Sequence, residues 1–344
     1  MKKLLSILLA SVMMLSAAAY AVTNVSESTP MGESGRRLVN IELAAEQLDG
    51  YTVPAGASFS FNEVVGPRTE ENGYVSAENA RNAYVVGGGV SQVATTLYLA
   101  LLDLQSGIEF TEIDVYGRDE YKGAYVADRN FAIVTDYEGE KDFAFTNNFD
   151  RDLKINMWVE GENLYCKLST TGSDNLALAA AAFGWTSKNM PKNAELMGSS
   201  RIKLDSKTTS KAMYRNIARA AAEVHNVTVK AGETFSFNEV VGPRSQRFGY
   251  INAKNGRGSF VVGGGVAQVA SALWLAIEDI EGIEIVEKTT YGEDYNQTYV
   301  DSAYDAIVTD YEAGKDFSFA NNSGKDITIA MFVEDANLYC RVVC

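Results

Sequence analysis

Hydrophobic residues recur at helical spacing at the start of two segments of the chain. The residues that share one helical face are Leu38, Ile41, Ala45 and Leu48 in the first segment and Ile217, Ala220, Ala221 and Val224 in the second. Gly50 and Asn226 follow these faces, and both residue types commonly end helices. The spacing therefore predicts one amphipathic helix at the start of each segment.

Short alternating stretches follow each helix and predict strands. Phe59 and Phe61 alternate with serines, as do Phe235 and Phe237, so each pair is expected on one face of a strand. Apolar stretches predict further strands at 108–115, 131–136, 153–159 and 164–168 in the first segment and at 327–333 and 338–343 in the second. Residues 90–104 and 266–280 carry apolar side chains at helical spacing, which predicts a second helix in each segment.

The two segments are copies of one domain. The ten residues FSFNEVVGPR occupy positions 59–68 and again 235–244, and each copy reaches three consecutive glycines at the same distance, 87–89 and 263–265. Helices that precede and interrupt a largely antiparallel sheet define an α+β domain. The sequence therefore predicts two tandem α+β domains, each with an N-terminal helix, a glycine-loop helix and a largely antiparallel sheet.

Composition sets the expected boundaries of these domains. Residues 36–168 are assigned to repeat 1 and residues 210–344 to repeat 2. Residues 22–35 are small and polar, and we interpret them as a flexible leader. Residues 169–209 are rich in Ala, Ser, Lys and Asn, which predicts a linker, and residues 176–183 fit one short helix within it.

The first 21 residues have the features of a signal peptide. Lys2 and Lys3 precede an apolar run that ends near Leu15, and the tripeptide AYA at 19–21 fits the small-x-small cleavage rule. A membrane anchor is the alternative, but the apolar run is short for a bilayer span. The sequence predicts a secreted protein of the cell envelope, with no membrane anchor after signal cleavage.

Charge and cysteine content argue against several classes of partner and site. The formal net charge is −15, so the chain repels nucleic acid and anionic lipid or wall polymers. The three cysteines, Cys166, Cys340 and Cys344, include no CxxC pair, which excludes a cysteine zinc site. Cys166 and Cys340 occupy matching strand positions and are interpreted as buried thiols, with a bridge between the two domains as the alternative. We predict no metal and no cofactor.

The repeated motifs resemble those of the VanW-like family. They are FSFNEVVGPR, the Gly-Tyr pairs at 73–74 and 249–250, and the segments GGGVSQVA and GGGVAQVA. That family consists of exported bacterial proteins named for a vancomycin-resistance cluster and often linked to cell-wall-binding domains. The resemblance covers about residues 36–168 and 210–344, and it implies a protein related to the cell wall.

Three positions of the family pattern are changed in this chain. The substitutions, in repeat 1 and then repeat 2, are Ser91 and Ala267 for the family's cysteine, Tyr116 and Tyr291 for its histidine, and Phe131-Ala132 and Asp305-Ala306 for its Asp-Ala pair. A cysteine at a helix start, with a histidine and an acid later, would suit thiol chemistry. The resemblance therefore implies that any such chemistry has been lost here.

Residues around the glycine loop are candidate ligand contacts, and each has a structural alternative. The backbone N–H groups at the helix start could bind a carboxylate, or the glycines could simply let the backbone pack closely. The glutamine amides could hold a substrate carbonyl or brace the loop, and the arginines could face a ligand carboxylate or join buried clusters. The candidate residues are Arg68, Gly88, Gly89, Ser91, Gln92 and Tyr116 in repeat 1 and Arg244, Gly264, Gly265, Gln268, Tyr291 and Asp305 in repeat 2.

Catalysis by Ser91 is the competing hypothesis for this site. A serine hydroxyl needs a base within hydrogen-bond reach, and the one histidine, His225, is expected at the surface where a helix of the other repeat ends. We therefore predict a secreted, non-catalytic protein that binds a cell-wall peptide or a related wall component. The alternatives are a wall-peptide hydrolase or transferase that uses Ser91, and a purely structural or interaction protein.

Overall fold

Helices packed on antiparallel sheets form both copies of the domain. The computed structural model describes residues 25–32, 35–104, 107–117, 119–171, 194–296, 299–334 and 336–344. Within these ranges the order of helices and strands in the first copy recurs in the second, so the predicted tandem α+β fold is confirmed. The predicted signal peptide and the predicted helix at 176–183 lie outside the described residues.

Each repeat has three α-helices among its described residues. They are α1 (Arg36–Leu48), α2 (Phe61–Val65), α3 (Val90–Leu102), α4 (Lys211–Val224), α5 (Phe237–Val241) and α6 (Ala267–Ile277). The Ser60 hydroxyl accepts the Glu63 N–H at 3.0 Å and so caps the start of α2. Gly50 and Asn226 adopt φ values of 77° and 62° just beyond α1 and α4, as expected of residues that end helices. Single 3₁₀ turns occur at Arg129–Phe131, Gln246–Phe248 and Gly292–Asp294.

The strands of each repeat form a four-stranded sheet, a three-stranded sheet and a hairpin. In repeat 1 they are β1 (Val25–Pro30), β2 (Thr52–Val53), β3 (Ser58–Ser60), β4 (Ser76–Glu78), β5 (Tyr84–Val86), β6 (Ile108–Ile113), β7 (Phe143–Asn147), β8 (Asp152–Glu160) and β9 (Asn163–Thr171). In repeat 2 they are β10 (Leu196–Lys203), β11 (Val227–Val229), β12 (Thr234–Ser236), β13 (Asn252–Lys254), β14 (Phe260–Val262), β15 (Ile283–Lys288), β16 (Phe317–Asn321), β17 (Ile327–Glu334) and β18 (Asn337–Val343). The sheet orders are β1-β9-β8-β2, β3-β7-β6 and β4-β5, then β10-β18-β17-β11, β12-β16-β15 and β13-β14.

Two segments that were interpreted as leader and linker contain strands. β1, within the expected flexible leader, pairs antiparallel with β9, so that Glu27 lies opposite Cys166. β10, within the expected linker, pairs in the same way with β18, so that Ser200 lies opposite Cys340. The polar composition of β1 concealed it, because its buried face holds Thr29, whose hydroxyl shares a 2.7 Å hydrogen bond with Thr96. Each of these strands therefore extends the sheet of its repeat beyond the boundary that composition suggested.

Two predicted strands take another form. Phe61 does not continue β3 but begins α2, because the Ser60 side chain caps the helix at that point. Residues 131–136 form a 3₁₀ turn and an isolated bridge between Ile133 and Val115 instead of a strand. The Ile133 N–H is drawn to the Thr95 hydroxyl at 3.0 Å, which diverts the backbone from a regular ladder.

The helix that follows the glycine loop fills the centre of the core. Val93, Leu97 and Leu101 on α3 are each no more than 1% exposed, as their helical spacing predicted. Phe59 stacks on Phe145 with ring centroids 4.8 Å apart, and the equivalent pair in repeat 2 is 5.1 Å apart. The two copies therefore repeat their packing as well as their sequence.

Arg215 on α4 joins the two repeats. Its Nε donates to Asp103 at 2.7 Å and its Nη2 donates to Glu27 at 2.7 Å. The guanidinium also lies over the Phe131 ring, 5.2 Å from the centroid. Because the Arg215 side chain is only 6% exposed, we expect its removal to cost more stability than the loss of a surface ion pair would.

Candidate functional site

The glycine loop of repeat 1 packs too closely for side chains. A Cβ on Gly88 would overlap the carbonyl oxygen of Ala77 on β4, and Gly89 has a φ of 108°. Asn40 on α1 fixes the loop from below, since its Nδ2 donates to the Gly88 carbonyl at 2.9 Å. Repeat 2 has the same construction, with Gly264 against Ala253 and Asn216 bonded to the Gly264 carbonyl. The close packing supports a structural role for these glycines in both repeats.

Most N–H groups of the glycine loop donate to backbone carbonyls. Those of Gly87, Gly88, Val90 and Gln92 donate to the carbonyls of Val75, Val85, Gly87 and Gly89. Within the part of the chain that the structure describes, the N–H groups of Gly89 and Ser91 have no backbone acceptor. The start of α3 thus retains two donors at its positive end for an anion.

A cavity of about 890 Å³ opens beside this loop in repeat 1. Its walls come from the glycine loop, from β5, from the segment after the Gly-Pro turn and from residues 134–138. Three arginines line it, Arg37, Arg68 and Arg81, although the chain as a whole is acidic. Three carboxylates, Glu70, Asp136 and Glu138, line it as well, so the formal charges of the wall balance.

Arg68 is the arginine in this cavity whose terminal nitrogens lack partners. Both its Nη1 and Nη2 atoms are buried with no hydrogen-bond acceptor among the described residues. Its guanidinium lies 5.5 Å from the centroid of the Phe61 ring and 5.7 Å from that of Tyr137. Burial lowers the pKa of Arg68, with the nearby Tyr74 and Asp142 acting in the opposite direction. A buried, unpaired guanidinium matches the two oxygens of a carboxylate.

The other two arginines are held by the protein. Arg37 Nη2 donates to Gln92 Oε1 at 2.7 Å. Arg81 Nη2 lies 2.9 Å from Glu120, and its guanidinium lies 5.0 Å from the centroid of the Tyr116 ring. Contacts within the protein therefore hold both guanidinium groups in place.

Gln92 is a brace. It is fully buried, and its Nε2 donates to the Thr29 hydroxyl and the Pro30 carbonyl, each at 3.0 Å. Together with its bond from Arg37, these contacts tie β1, α1 and α3 to one side chain. The bracing alternative for Gln92 is therefore the one that the geometry favours.

Ser91 meets the residue at the family's histidine position. The Tyr116 phenol lies near the Ser91 hydroxyl, whose hydrogen bonds are with Thr135: it accepts the Thr135 N–H at 3.2 Å and donates to the Thr135 carbonyl at 3.3 Å. Burial raises the pKa of Tyr116, while Ser91 and the charge of Arg81 act in the opposite direction. Among the described residues, the partners of this hydroxyl include no histidine, lysine or carboxylate. A phenol with a raised pKa keeps its proton at neutral pH and cannot take one from serine.

The chain's one histidine serves the fold. The Nδ1 of His225 accepts the Met331 N–H at 3.2 Å, and Asp49, at the matching place in repeat 1, accepts the Met157 N–H at 3.1 Å. Both residues therefore join the end of the first helix to the strand below it. His225 is half-buried rather than a surface residue, and its ring belongs to this joint.

The matching site in repeat 2 lacks several of these groups. Met213 stands where Arg37 does, and Gln268 donates to its sulfur at 3.4 Å while its own Oε1 is buried without a partner. Arg244 keeps its place over Phe237, and its Nη1 donates to the Gly242 carbonyl at 2.9 Å, while its Nε and Nη2 are buried without a partner among the described residues. The site in repeat 2 is therefore a reduced version of that in repeat 1.

The remaining candidates of repeat 2 make contacts within the protein. Tyr291 is 8% exposed and lies under the Arg257 guanidinium, 5.3 Å from the ring centroid. Asp305 accepts the Trp274 indole N–H at 3.0 Å. Asp305 therefore has a hydrogen-bond partner within the protein, whereas the terminal nitrogens of Arg68 have none among the described residues.

The acid and cysteine candidates lie outside the cavity. Glu63 is exposed, and its neighbour Asn62 donates to the carbonyl of Lys141 at 2.9 Å. Cys166 and Cys340 are buried free thiols, and burial raises the pKa of both. Within the described residues, no group of three His, Cys, Asp or Glu side chains could hold a metal.

Sequence reasoning missed several residues of this site. Arg81, Asn40 and Thr135 were not singled out, yet each recurs in the second copy as Arg257, Asn216 and Thr309. Identity between the copies was therefore a signal that could have found them. Arg37 has no such signal, since its counterpart is a methionine.

Comparison with known proteins identifies the family. Residues 36–169 and 212–343 each match the family described as VanW like protein. "Uncharacterized protein YoaR" of Bacillus subtilis (strain 168) is 38% identical over 125 residues, which is 36% of this chain and 40% of that protein. The match therefore spans less than half the length of this relative. No solved structure matches the chain. Among the described residues, no helix combines the length and hydrophobicity that crossing a bilayer requires.

Proposed function

The chain belongs to the VanW-like family, and from this premise we propose that it is an exported, non-catalytic cell-wall protein whose repeat 1 cavity binds a carboxylate-bearing wall component. Family membership indicates a cell-wall-related protein. Export is part of the proposal and rests on the basic and apolar pattern of residues 1–21. The two repeats, joined through Arg215, would present their clefts as one unit.

The observation that carries this proposal is the unpaired guanidinium of Arg68. Burying a charged group without hydrogen bonds is costly, so such a group is retained where a ligand supplies the missing acceptors. A planar carboxylate accepts two parallel N–H bonds from one arginine. Gly89 and Ser91, whose N–H groups have no backbone acceptor among the described residues, line the same cavity as Arg68 and offer further donors to an anion.

The environment of Ser91 supports binding without catalysis. Its hydrogen-bond partner is Thr135, and burial raises the pKa of the nearby Tyr116 phenol, so neither neighbour activates the hydroxyl. Repeat 2, with Ala267 at this position, keeps the loop, the asparagine brace and the arginine. A surface retained without an attacking atom is suited to binding.

Isothermal titration of the purified protein with soluble peptidoglycan fragments tests this function. We expect Arg68→Ala to weaken binding tenfold or more, because a charge-assisted pair is lost. Arg36→Ala is the matched control, since Arg36 is an exposed arginine at the start of α1 and lies outside the cavity lining. Arg244→Ala measures how much the site of repeat 2 contributes to binding. Equal binding by the wild type, Arg68→Ala and Arg36→Ala would place the ligand elsewhere.

A further inference from the structure

The strand that leads into the glycine loop has an open edge. β5 belongs to a two-stranded sheet with β4 as its partner. Asn79 N–H donates to the Ala83 carbonyl and Gly87 N–H donates to that of Val75, which sets the alternation of the ladder. Tyr84 and Val86 then occupy the non-hydrogen-bonded pairs, opposite Glu78 and Ser76. Their N–H and C=O groups therefore point away from β4.

This open edge lies at the cavity. Val85 and Val86 line it, and Tyr84 and Val85 are 73% and 42% exposed, which is unusual for large apolar side chains. Arg68 lies where β5 ends, because a Cβ on Gly87 would be 2.6 Å from the Arg68 Cβ. An apolar strand edge with unpaired backbone groups thus runs up to an unpaired guanidinium.

We propose that the ligand is an extended peptide with a free C-terminal carboxylate, which adds to β5 as a parallel strand. Its penultimate residue lies opposite Val85, donates its N–H to the Tyr84 carbonyl and accepts the Val86 N–H. Its terminal carboxylate reaches Arg68. The parallel direction follows because the carboxylate must lie at the end of β5 that adjoins Gly87. This inference rests on the proposed function and adds the class and direction of the ligand.

The chemistry of the edge favours a peptide over other wall components. Two outward backbone groups two residues apart match the N–H and C=O of one peptide residue. The acidic net charge of −15 repels long anionic polymers, whereas one terminal carboxylate needs only the unpaired guanidinium of Arg68. Repeat 2 has the same open edge: the backbone N–H and C=O groups of Phe260 and Val262 point away from β13, and the two residues are 64% and 36% exposed.

Acetylated trialanine is the probe, made in L and D series so that side chains contribute little and either chirality is sampled. Titrations of the full chain are followed by NMR of the backbone amides from Tyr84 to Gly88. We expect the free acid to bind, its C-terminal amide to bind at least tenfold more weakly, and N-methylation of the middle residue to weaken binding similarly. N-methylation of the last residue is the control, because that N–H faces away from β5.

Two proline variants test the protein side of the same contact. Val86→Pro removes the outward N–H of β5, and Glu78→Pro removes an outward N–H of β4 at the opposite edge of the hairpin. We expect the first to weaken binding and the second to leave it unchanged, with circular dichroism confirming that both fold.

The possible failures are distinguishable. If amidation and Arg68→Ala abolish binding while the middle N-methyl peptide and Val86→Pro behave as the parents do, strand addition is wrong and the carboxylate site stands. If peptidoglycan fragments bind with dependence on Arg68 but no trialanine of either series binds, the peptide assignment is overturned. If Arg68→Ala changes nothing with any probe, the proposed function fails as well.

Discussion

Arg37 Nη2 donates a 2.7 Å hydrogen bond to Gln92 Oε1, although the two residues lie 55 positions apart in the chain. In repeat 2 the same place holds Met213, and the Oε1 of Gln268 is buried without a partner. One substitution thus separates a satisfied glutamine brace from an unsatisfied one.

Arg37→Met should reproduce the condition of repeat 2. The buried Gln92 Oε1 would lose its donor, so we expect a loss of about 1–3 kcal/mol in the free energy of unfolding. Urea denaturation measures this change. Met213→Arg is the reciprocal variant, expected to be neutral or stabilising, and a larger loss there than in Arg37→Met would contradict the argument.

Ser91→Ala should leave ligand binding intact. The hydroxyl exchanges hydrogen bonds with Thr135, so its removal should cost about 1 kcal/mol of stability. Chromatography of peptidoglycan fragments incubated with the wild type and the variant should show the same absence of cleavage. Turnover by the wild type that disappears in Ser91→Ala would establish the catalytic alternative instead.

Gly88→Ala should destabilise the loop through overlap. The new methyl group would collide with the Ala77 carbonyl, which is backbone and cannot swing aside, so we expect a loss of about 3 kcal/mol or more. Gly66→Ala is the matched control, because a Cβ there meets nothing within 4 Å and only the φ of 73° opposes it. With a ψ of −172°, Gly66 lies in a region that only glycine populates readily, and that strain costs about 1–3 kcal/mol. Similar losses in urea melts of the two variants would show that close packing is unimportant at Gly88.

Arg215→Met should uncouple the two repeats. The methionine keeps an apolar stem but removes the cation shared by Glu27 and Asp103. The expected cost is about 2 kcal/mol, reduced because both carboxylates are partly exposed. Calorimetry should then resolve two transitions where the wild type shows one. Lys211→Met removes a 64% exposed partner of the same Glu27 and should change little. A single unchanged transition in Arg215→Met would mean that the bridge is not what couples the repeats.

Glu27 should make stability depend on pH. Burial raises its pKa above the ordinary 4.5, as does Asp103, against the attraction of Arg215 and Lys211. The folded state then binds the proton more tightly than the unfolded state, so the stabilisation is present below pH 4.5 and is lost as pH rises through the raised pKa. The advantage of the wild type over Glu27→Gln should therefore shrink as pH rises from about 4.5. Glu63→Gln, at an exposed carboxyl, is the control, and an advantage that grows with pH would reverse the assigned sign.

Local pattern predicted the elements well where one face of the chain is apolar. The helix that contains Val93 and Leu97 was found because its buried side chains recur every turn. β1 escaped because its buried position is Thr29, a polar residue whose need for a partner is met by Thr96 on another element. Composition classed this segment as flexible because burial of a hydrogen-bonded hydroxyl leaves no hydrophobic signal.

The same limit applies to the residues of the candidate site. Arg68 was selected because it recurs as Arg244 beside a repeated turn, but sequence left open whether it is paired. Asp305 was selected from the family pattern, and the structure gives it the Trp274 indole as partner. Partners of this kind are set by side chains from distant segments, which one sequence does not bring together.

By itself, the sequence determined the duplication, the α+β class, the family and the glycine loop. These depend on identity between the copies and on the spacing of apolar side chains, both readable along the chain. Tertiary structure decided that Arg68 is buried without an acceptor, that Tyr116 meets Ser91, and that Arg215 bridges the repeats. The physical reason is that charge pairing and hydrogen bonding act through space, between groups whose distance is fixed only when the sheets and helices have packed.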